Sequence, residues 1–267
     1  MKRLKMRGSV AVAAIGLLGL LVLAGCITEP ITGRRQLSLV APAQEMQLGL
    51  SSFEQLKKET PISRDAAANA LVQKVGQRIA AVADLPNAQW EFVVFDSPEA
   101  NAFCLPGGKV GVYKGLLPVT KDEEGLATVI GHEVAHAAAH HGAERMSDAM
   151  ALQAGGQALG LSLSKADPRT QALVQMAYGV GAQVGVLLPF SRTQESAADR
   201  IGLTYMARAG YNPEAAVAFW ERFAEYGRRS GGAGMPGFLR THPVDAVRIQ
   251  QIKDWLPEAR QGYRPQR

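Results

Sequence analysis

The sequence predicts a mainly helical α+β domain with a small β-sheet beside its central helix. Three observations lead there. Apolar residues recur at helical spacing through most of the chain, β-branched and aromatic runs crowd between residues 89 and 113, and about 240 residues beyond the first 25 suffice for one sizeable core. No internal repeat interrupts this picture.

The chain opens on a basic start, Lys2, Arg3, Lys5 and Arg7, followed by an apolar run over 10–23 that is short for a membrane span and has the layout of a secretory signal. Leu23-Ala24-Gly25-Cys26 resembles a lipoprotein cleavage box. Residues 1–25 are therefore expected to be a lipoprotein signal peptide, Cys26 the lipidation point, 26–40 a lipid-anchored linker, 41–256 the folded domain and 257–267 a tail. Pro42 to Glu59 and Ser63 to Ala83 read as amphipathic helices, the second with Leu71, Val75, Ile79 and Val82 on one face. Gln89 to Phe95 reads as a strand, and Asn101 to Leu105 with Lys109 to Tyr113 as a hairpin around Pro106-Gly107-Gly108. Thr120 to Glu123 has the form of a capping box ahead of Leu126, Val129, Ile130 and Val134, the apolar stripe of the central helix.

Two Gly/Ala-rich segments, 149–163 and 172–190, approach the length of a span. Gln153, Gln157, Gln175 and Gln183 interrupt them and Pro189 closes the second, so both are expected to be buried helices. Asn212-Pro213-Glu214 opens a helix to about Tyr226 that buries Val217, Phe219, Trp220 and Phe223. A flexible glycine-rich connection over 230–237 precedes a last helix beginning at Pro243 and running through Val244, Val247, Ile249 and Ile252.

The formal charge of +5 misleads, because four positive charges lie within residues 1–25; without them 25 basic and 24 acidic residues remain, a net +1. Nucleic acid is excluded as an expected partner. Cys104, with Cys26 lipidated, has no partner within the chain, so no disulfide framework is expected and Cys104 reads as a small apolar filler.

Chemistry enters at His132-Glu133-Val134-Ala135-His136. At about 100° per residue, two imidazoles four apart share one helical face and one metal ion, for which zinc is the natural candidate, one ion per chain. Glu133 stands close enough to take a proton from a metal-activated water, as a general base. A third donor is needed. One pattern would place Gly at 139 and His at 142, but the chain has Ala139 and Gly142. His140 and His141 lie far along the helix axis and are expected to cover its carboxyl end. Glu195-Ser196-Ala197-Ala198-Asp199 offers the alternative from a second helix, Glu195 on the metal and Asp199 fixing the tautomer of a ligand imidazole. Glu144 and Asp148 are rivals, less suited because they continue the same stretch of chain.

These motifs, with Asn101-Ala102-Phe103-Cys104-Leu105-Pro106-Gly107-Gly108, Thr241-His242-Pro243 and Arg248, resemble the membrane-associated gluzincin metallopeptidases, the group of the HtpX, CAAX prenyl and OMA-type proteases. The resemblance covers roughly residues 36–255, and single-domain bacterial lipoprotein or periplasmic members, LoiP-like more than BepA-like, are the nearer comparison. It implies a zincin-like fold and a zinc endopeptidase acting on misfolded or misassembled envelope proteins. It also implies a lipid-anchored place on the periplasmic face of a bacterial outer membrane, with the outer-membrane assembly machinery as a partner. Asn101, Ala102, Phe103, Cys104 and Leu105 would then form an edge strand that pairs with substrate backbone. His242 stays open between an oxyanion donor, a temporary fourth ligand that silences the resting enzyme, and a helix-start residue without chemistry. Arg248 is expected to orient the carboxylate side of the site. A periplasmic chaperone or assembly factor with little proteolysis is the competing function, and an exopeptidase the third, although no charged group for capturing a chain end stands out.

Overall fold

A computed structural model describes residues 26–164, 167–172, 174, 190–230 and 236–265. The expected signal peptide (1–25) and nearly all of the 172–190 segment lie outside the described residues.

Cys26–Thr28 (β1) and Arg35–Leu37 (β2) pair antiparallel, Cys26 opposite Leu37. The stretch expected to be a linker is therefore a docked hairpin. Its polar side chains hold it down: Gln36 donates to the Ala139 carbonyl, and the backbone N–H of Leu39, just beyond the hairpin, donates to Ser147 Oγ at 2.8 Å.

Pro42–Glu59 (α1) takes its start from the proline, whose missing N–H costs nothing in the first turn. Ala66–Ala80 (α2) is shorter than expected at both ends. Asp65 is the cap, accepting from the N–H groups of Ala67 and Ala68, whereas the Ser63 N–H bonds Val94. Glu91–Phe95 (β3), Ala102–Leu105 (β4) and Lys109–Tyr113 (β5) form one sheet in the order β3-β5-β4. β3 runs parallel to β5 and β4 antiparallel to it, Ala102 opposite Val112. The tight turn into β5 needs Gly107 (φ +86°) and Gly108 (φ +81°) in a region only glycine enters freely. β4 is left at a sheet edge.

After the short helix Leu117–Thr120 (α3), Lys121 turns at φ 72° and Glu123–Ala138 (α4) begins. Its cap is Asp122, which accepts from Gly125 N–H at 2.8 Å, while the Thr120 hydroxyl bonds back to Leu117. The expected Thr120–Glu123 box is thus replaced by a cap two residues later, because α3 already claims Thr120. From Gly125 to Ala138 every residue of α4 is buried. Apart from Thr128 and the site residues His132, Glu133 and His136 this span is apolar, so the helix is wrapped on all sides.

His140, at φ 55°, is the corner between α4 and His141–Ser162 (α5). Then follow Arg192–Arg208 (α6), started by a full Ser191/Gln194 capping box, Ala215–Arg229 (α7), Gly237–Thr241 (α8) and Ala246–Gln261 (α9). α9 is capped by Asp245, so Pro243 lies ahead of the helix, and the helix runs on to Gln261, into the first part of the expected tail.

The core forms around α4, with Val72, Val75 and Ile79 of α2, Ile201 and Tyr205 of α6, and Phe219, Trp220 and Phe223 of α7. α4 and α6 approach closely because glycines meet there: a Cβ on Gly202 would stand 3.0 Å from the His132 nitrogen. A smaller cluster of Phe53, Val93 and Phe95, with Phe103 and Tyr113 against it, packs α1 on the sheet. The outer half of α5 departs from expectation. Residues 149–162 form helix but stay largely exposed, Leu161 at 77%, since good helix formers hold the helix where no described element covers it. No described helix is long and apolar enough to cross a membrane.

Candidate metal centre

Periodicity on α4 and α6 sets the geometry. Positions four apart on α4 aim His132 and His136 the same way, and the crossing at Gly202 sets Glu195, one turn into α6, against them. His132 Nε2 and His136 Nε2 are 3.1 Å apart; Glu195 Oε1 lies 3.3 Å from the second and Oε2 3.6 Å from the first. His242, at the end of α8, joins them with Nδ1 3.1 Å from His132 Nε2 and 2.8 Å from Glu195 Oε1. One donor atom from each of these four buried residues lies within 4.8 Å of the others, close enough to hold one metal ion. The helix-start reading of His242 fails, because Asp245 caps the next helix and the His242 ring is 2% exposed inside this cluster.

The surroundings suit a cation. Glu133 Oε1 and Glu195 Oε2 are buried without a hydrogen-bond partner, although Arg248 Nη1 stands 2.6 Å from Glu195 Oε2 as an ion pair outside hydrogen-bond direction. Burial lowers the pKa of both His132 and His136, outweighing the carboxylates beside them, and so favours the neutral rings that a metal needs. Burial would raise Glu195, but the charges of Arg248 and His242 hold it well below the usual carboxylate range. His242 goes the other way: burial lowers it, and the Glu133 and Glu195 charges outweigh that and raise it.

Asp199, one turn beyond Glu195, stands 2.9 Å from Nδ1 of His132. Arg248 grips Asp199 and lies over Trp220, 3.9 Å from its ring centroid, so both expected supporting residues sit beside the cluster. Glu133 is pushed up to about 7, chiefly by burial and by the Glu195 charge, against the pull of His242 and Arg248. The backbone of Cys104 faces its carboxylate, which puts β4 along the site.

A cleft of about 250 Å³ opens there, lined by Cys104, Glu133, His136, Phe190 and His242 among others. Of the five residues expected to bind substrate, Asn101 lies just ahead of β4 at the cleft, its carbonyl accepting from the Tyr113 N–H, and the other four divide by strand alternation. Ala102 and Cys104 turn to the central core, while Phe103 and Leu105 pack on the Phe53 cluster. Burial, then the nearby Glu133 charge, raises the Cys104 thiol far out of reach of ionisation, in keeping with a filler.

Three contributors escaped the sequence reading. Phe190 places its ring 4.1 Å from His136 and 5.4 Å from His242, and Trp220 backs His132 at 5.4 Å. His141 does not cover a helix end; it is fully buried, with Nδ1 2.8 Å from His136 Nδ1. Its spacing of five from His136 was the available signal, since it brings the ring round to the same flank once the helix breaks at His140. The rival carboxylate Glu144 is engaged elsewhere, by Arg34 and Gln194.

The sequence profile described as Peptidase family M48 matches residues 66–256. The chain belongs to this family. Similar relatives include the mitochondrial metalloendopeptidase OMA1 of Schizosaccharomyces pombe, 36% identical over 86% of this chain and 66% of its own length. OMA1 of Saccharomyces cerevisiae is 36% identical over 67% of this chain and 50% of its own. The beta-barrel assembly-enhancing protease of Escherichia coli is 28% identical over 85% and 47%. The chain thus spans about half to two thirds of the length of these relatives. Family M48 and the mainly helical zincin-like fold agree with expectation, but the expected location does not. Relatives at 36% identity are named as mitochondrial, which overturns the placement on a bacterial outer membrane and leaves the LoiP-like comparison unsupported.

Proposed function

We propose that the chain is a zinc-dependent endopeptidase that cleaves extended segments of misfolded or misassembled proteins. The observation that carries this reading is the convergence of His132, His136, Glu195 and His242 beside a buried Glu133 oxygen that accepts no hydrogen bond and faces His242 Nε2 at 3.4 Å, at the foot of an open sheet edge. Three imidazoles and one carboxylate are a donor set typical of zinc. When bound, the ion supplies Lewis-acid polarisation of a peptide carbonyl and acidifies water toward neutrality.

Glu133 is the general base in this proposal. Its pKa near 7 lets it take the proton of the attacking water at neutral pH and return it to the leaving amine. Asp199 accepts from His132 Nδ1–H, fixing the tautomer that leaves Nε2 free for the metal, and Arg248 keeps Asp199 ionised. The free edge of β4 orients substrate by backbone pairing, which demands an extended chain and is indifferent to most side chains. His242, already at the donor cluster, is read as the fourth ligand of the resting site.

The reading is tested by hydrolysis of casein or another unfolded protein by the full chain, with chelator and after return of zinc. Loss on chelation and recovery with zinc are expected; cleavage that ignores the chelator would overturn the proposal. The zinc coordination number in wild type and His242→Ala tests the resting ligand, a fall by one being expected.

A further inference from the structure

Each ligand imidazole has an outer nitrogen that needs a partner. His132 finds a carboxylate directly in Asp199. His136 finds only another imidazole, since its Nδ1 lies 2.8 Å from Nδ1 of His141. The far nitrogen of His141, Nε2, stands 2.8 Å from Glu29 Oε1, in the turn of the β1–β2 hairpin. Glu29 lies 112 residues from His141 and 37 residues ahead of the stretch matched by the family profile, which begins at residue 66.

We infer that Glu29 is a positioning residue for the metal centre, holding His136 in its ligating tautomer and orientation through His141. The inference rests on the proposed role of His136 as a ligand. The proton placement follows from the contacts alone. A metal on His136 Nε2 leaves the proton on Nδ1, which must donate to His141 Nδ1. His141 Nδ1 is then an acceptor, so the proton of His141 sits on Nε2 and donates to Glu29. No other neutral arrangement satisfies all three contacts. Glu29 is fixed for this task, accepting from Arg34 Nε at 2.6 Å and from the Thr32 hydroxyl at 2.5 Å. Arg34 also binds both oxygens of Glu144, which receives Gln194 Nε2 at 2.6 Å from the residue beside Glu195. Glu29, His141 and Glu144 have the spacing of a second metal site, but the Arg34 guanidinium already supplies the cation between the two carboxylates.

The test measures the zinc dissociation constant of the full chain by competition with a chromophoric chelator, in wild type, Glu29→Gln, Glu29→Ala, His141→Ala, Glu29→Ala with His141→Ala, and Ser147→Ala. Partners at this remove typically change metal affinity 10- to 100-fold, so Glu29→Ala is expected to weaken zinc about 10-fold and the isosteric Glu29→Gln several-fold. In the His141→Ala background, removal of Glu29 should matter less than about twofold, because the connection is already cut. Ser147→Ala, which removes the hydroxyl that ties the end of the hairpin to α5 through the Leu39 N–H, loosens the hairpin away from the relay and should bind zinc as wild type does. Zinc binding by Glu29→Gln and Glu29→Ala within twofold of wild type would overturn the inference. So would an effect that persists undiminished without His141, or an equal loss in Ser147→Ala. Failure of wild type to bind zinc would instead overturn the underlying reading of the site.

Discussion

Arg248 binds Asp199 through two parallel hydrogen bonds, Nε to Oδ2 at 2.7 Å and Nη2 to Oδ1 at 2.8 Å. Both groups are buried, so each charge depends on the other and on the neighbouring Glu195. Removing one partner of a buried pair leaves the other charge stranded, at a typical cost of about 3–5 kcal/mol. Arg248→Ala is expected to lose stability of that order in urea unfolding of the metal-free protein. Arg248→Lys should recover only part of it, because an ammonium cannot span both oxygens. An unchanged unfolding midpoint in Arg248→Ala would show that the pair does not hold the fold.

Glu133→Gln removes the base and keeps the shape. Hydrolysis of casein should fall by at least about 100-fold, the usual contribution of a positioned base, with zinc content still one per chain. His132→Ala and Glu195→Ala should instead lose the metal. Zinc retained at wild-type affinity in both would refute their assignment as ligands.

Gly202→Val tests whether the helix crossing sets the donor geometry. The first carbon of the new side chain would already stand 3.0 Å from the His132 nitrogen and 3.1 Å from its Cα, so α6 must move off α4 and take Glu195 with it. A loss of zinc affinity of about 10-fold or more is expected although no ligand is altered, beside the loss of about 1–3 kcal/mol that overpacking brings to stability. Wild-type affinity in a folded variant would mean that Glu195 adjusts freely.

Acid should weaken the fold through the hairpin. Burial raises the Glu29 carboxyl, but hydrogen bonds from His141, Arg34 and Thr32 outweigh it and bring the group from its ordinary 4.5 to about 2. A carboxyl that is more acidic folded than unfolded stabilises the protein fully above about pH 4.5, and that contribution is lost as pH falls toward 2. Urea midpoints measured between pH 5 and pH 2 should therefore fall more steeply in wild type than in Glu29→Gln. Parallel curves would contradict the assigned ion pair.

Much of this arrangement was legible as local pattern. The bounds of α1 followed from Pro42 and its periodicity, and the two ends of the hairpin from Pro106-Gly107-Gly108. The pairing of His132 with His136, and of Glu195 with Asp199, needed only the rise and turn of a helix. What stayed hidden depends on contacts across the chain. Thr120 and Asp122 are both plausible caps until α3 is seen to occupy the first. Glu29 and His141 carry no shared periodicity, and their meeting requires the hairpin to fold back on α5. The exposure of residues 149–162 was misread because an apolar composition was taken to imply a cover.

The left-handed backbone at His140 has a consequence for how the chain tolerates change. Most connections between helices absorb an inserted residue at small cost. Here an insertion would rotate α5 by about 100° about its axis and swing His141, Glu144 and Ser147 away from the hairpin together. The length of this corner is thus a fixed dimension of the molecule, as constraining as any side chain in it, and an added residue would disable the centre without replacing a single one of its atoms.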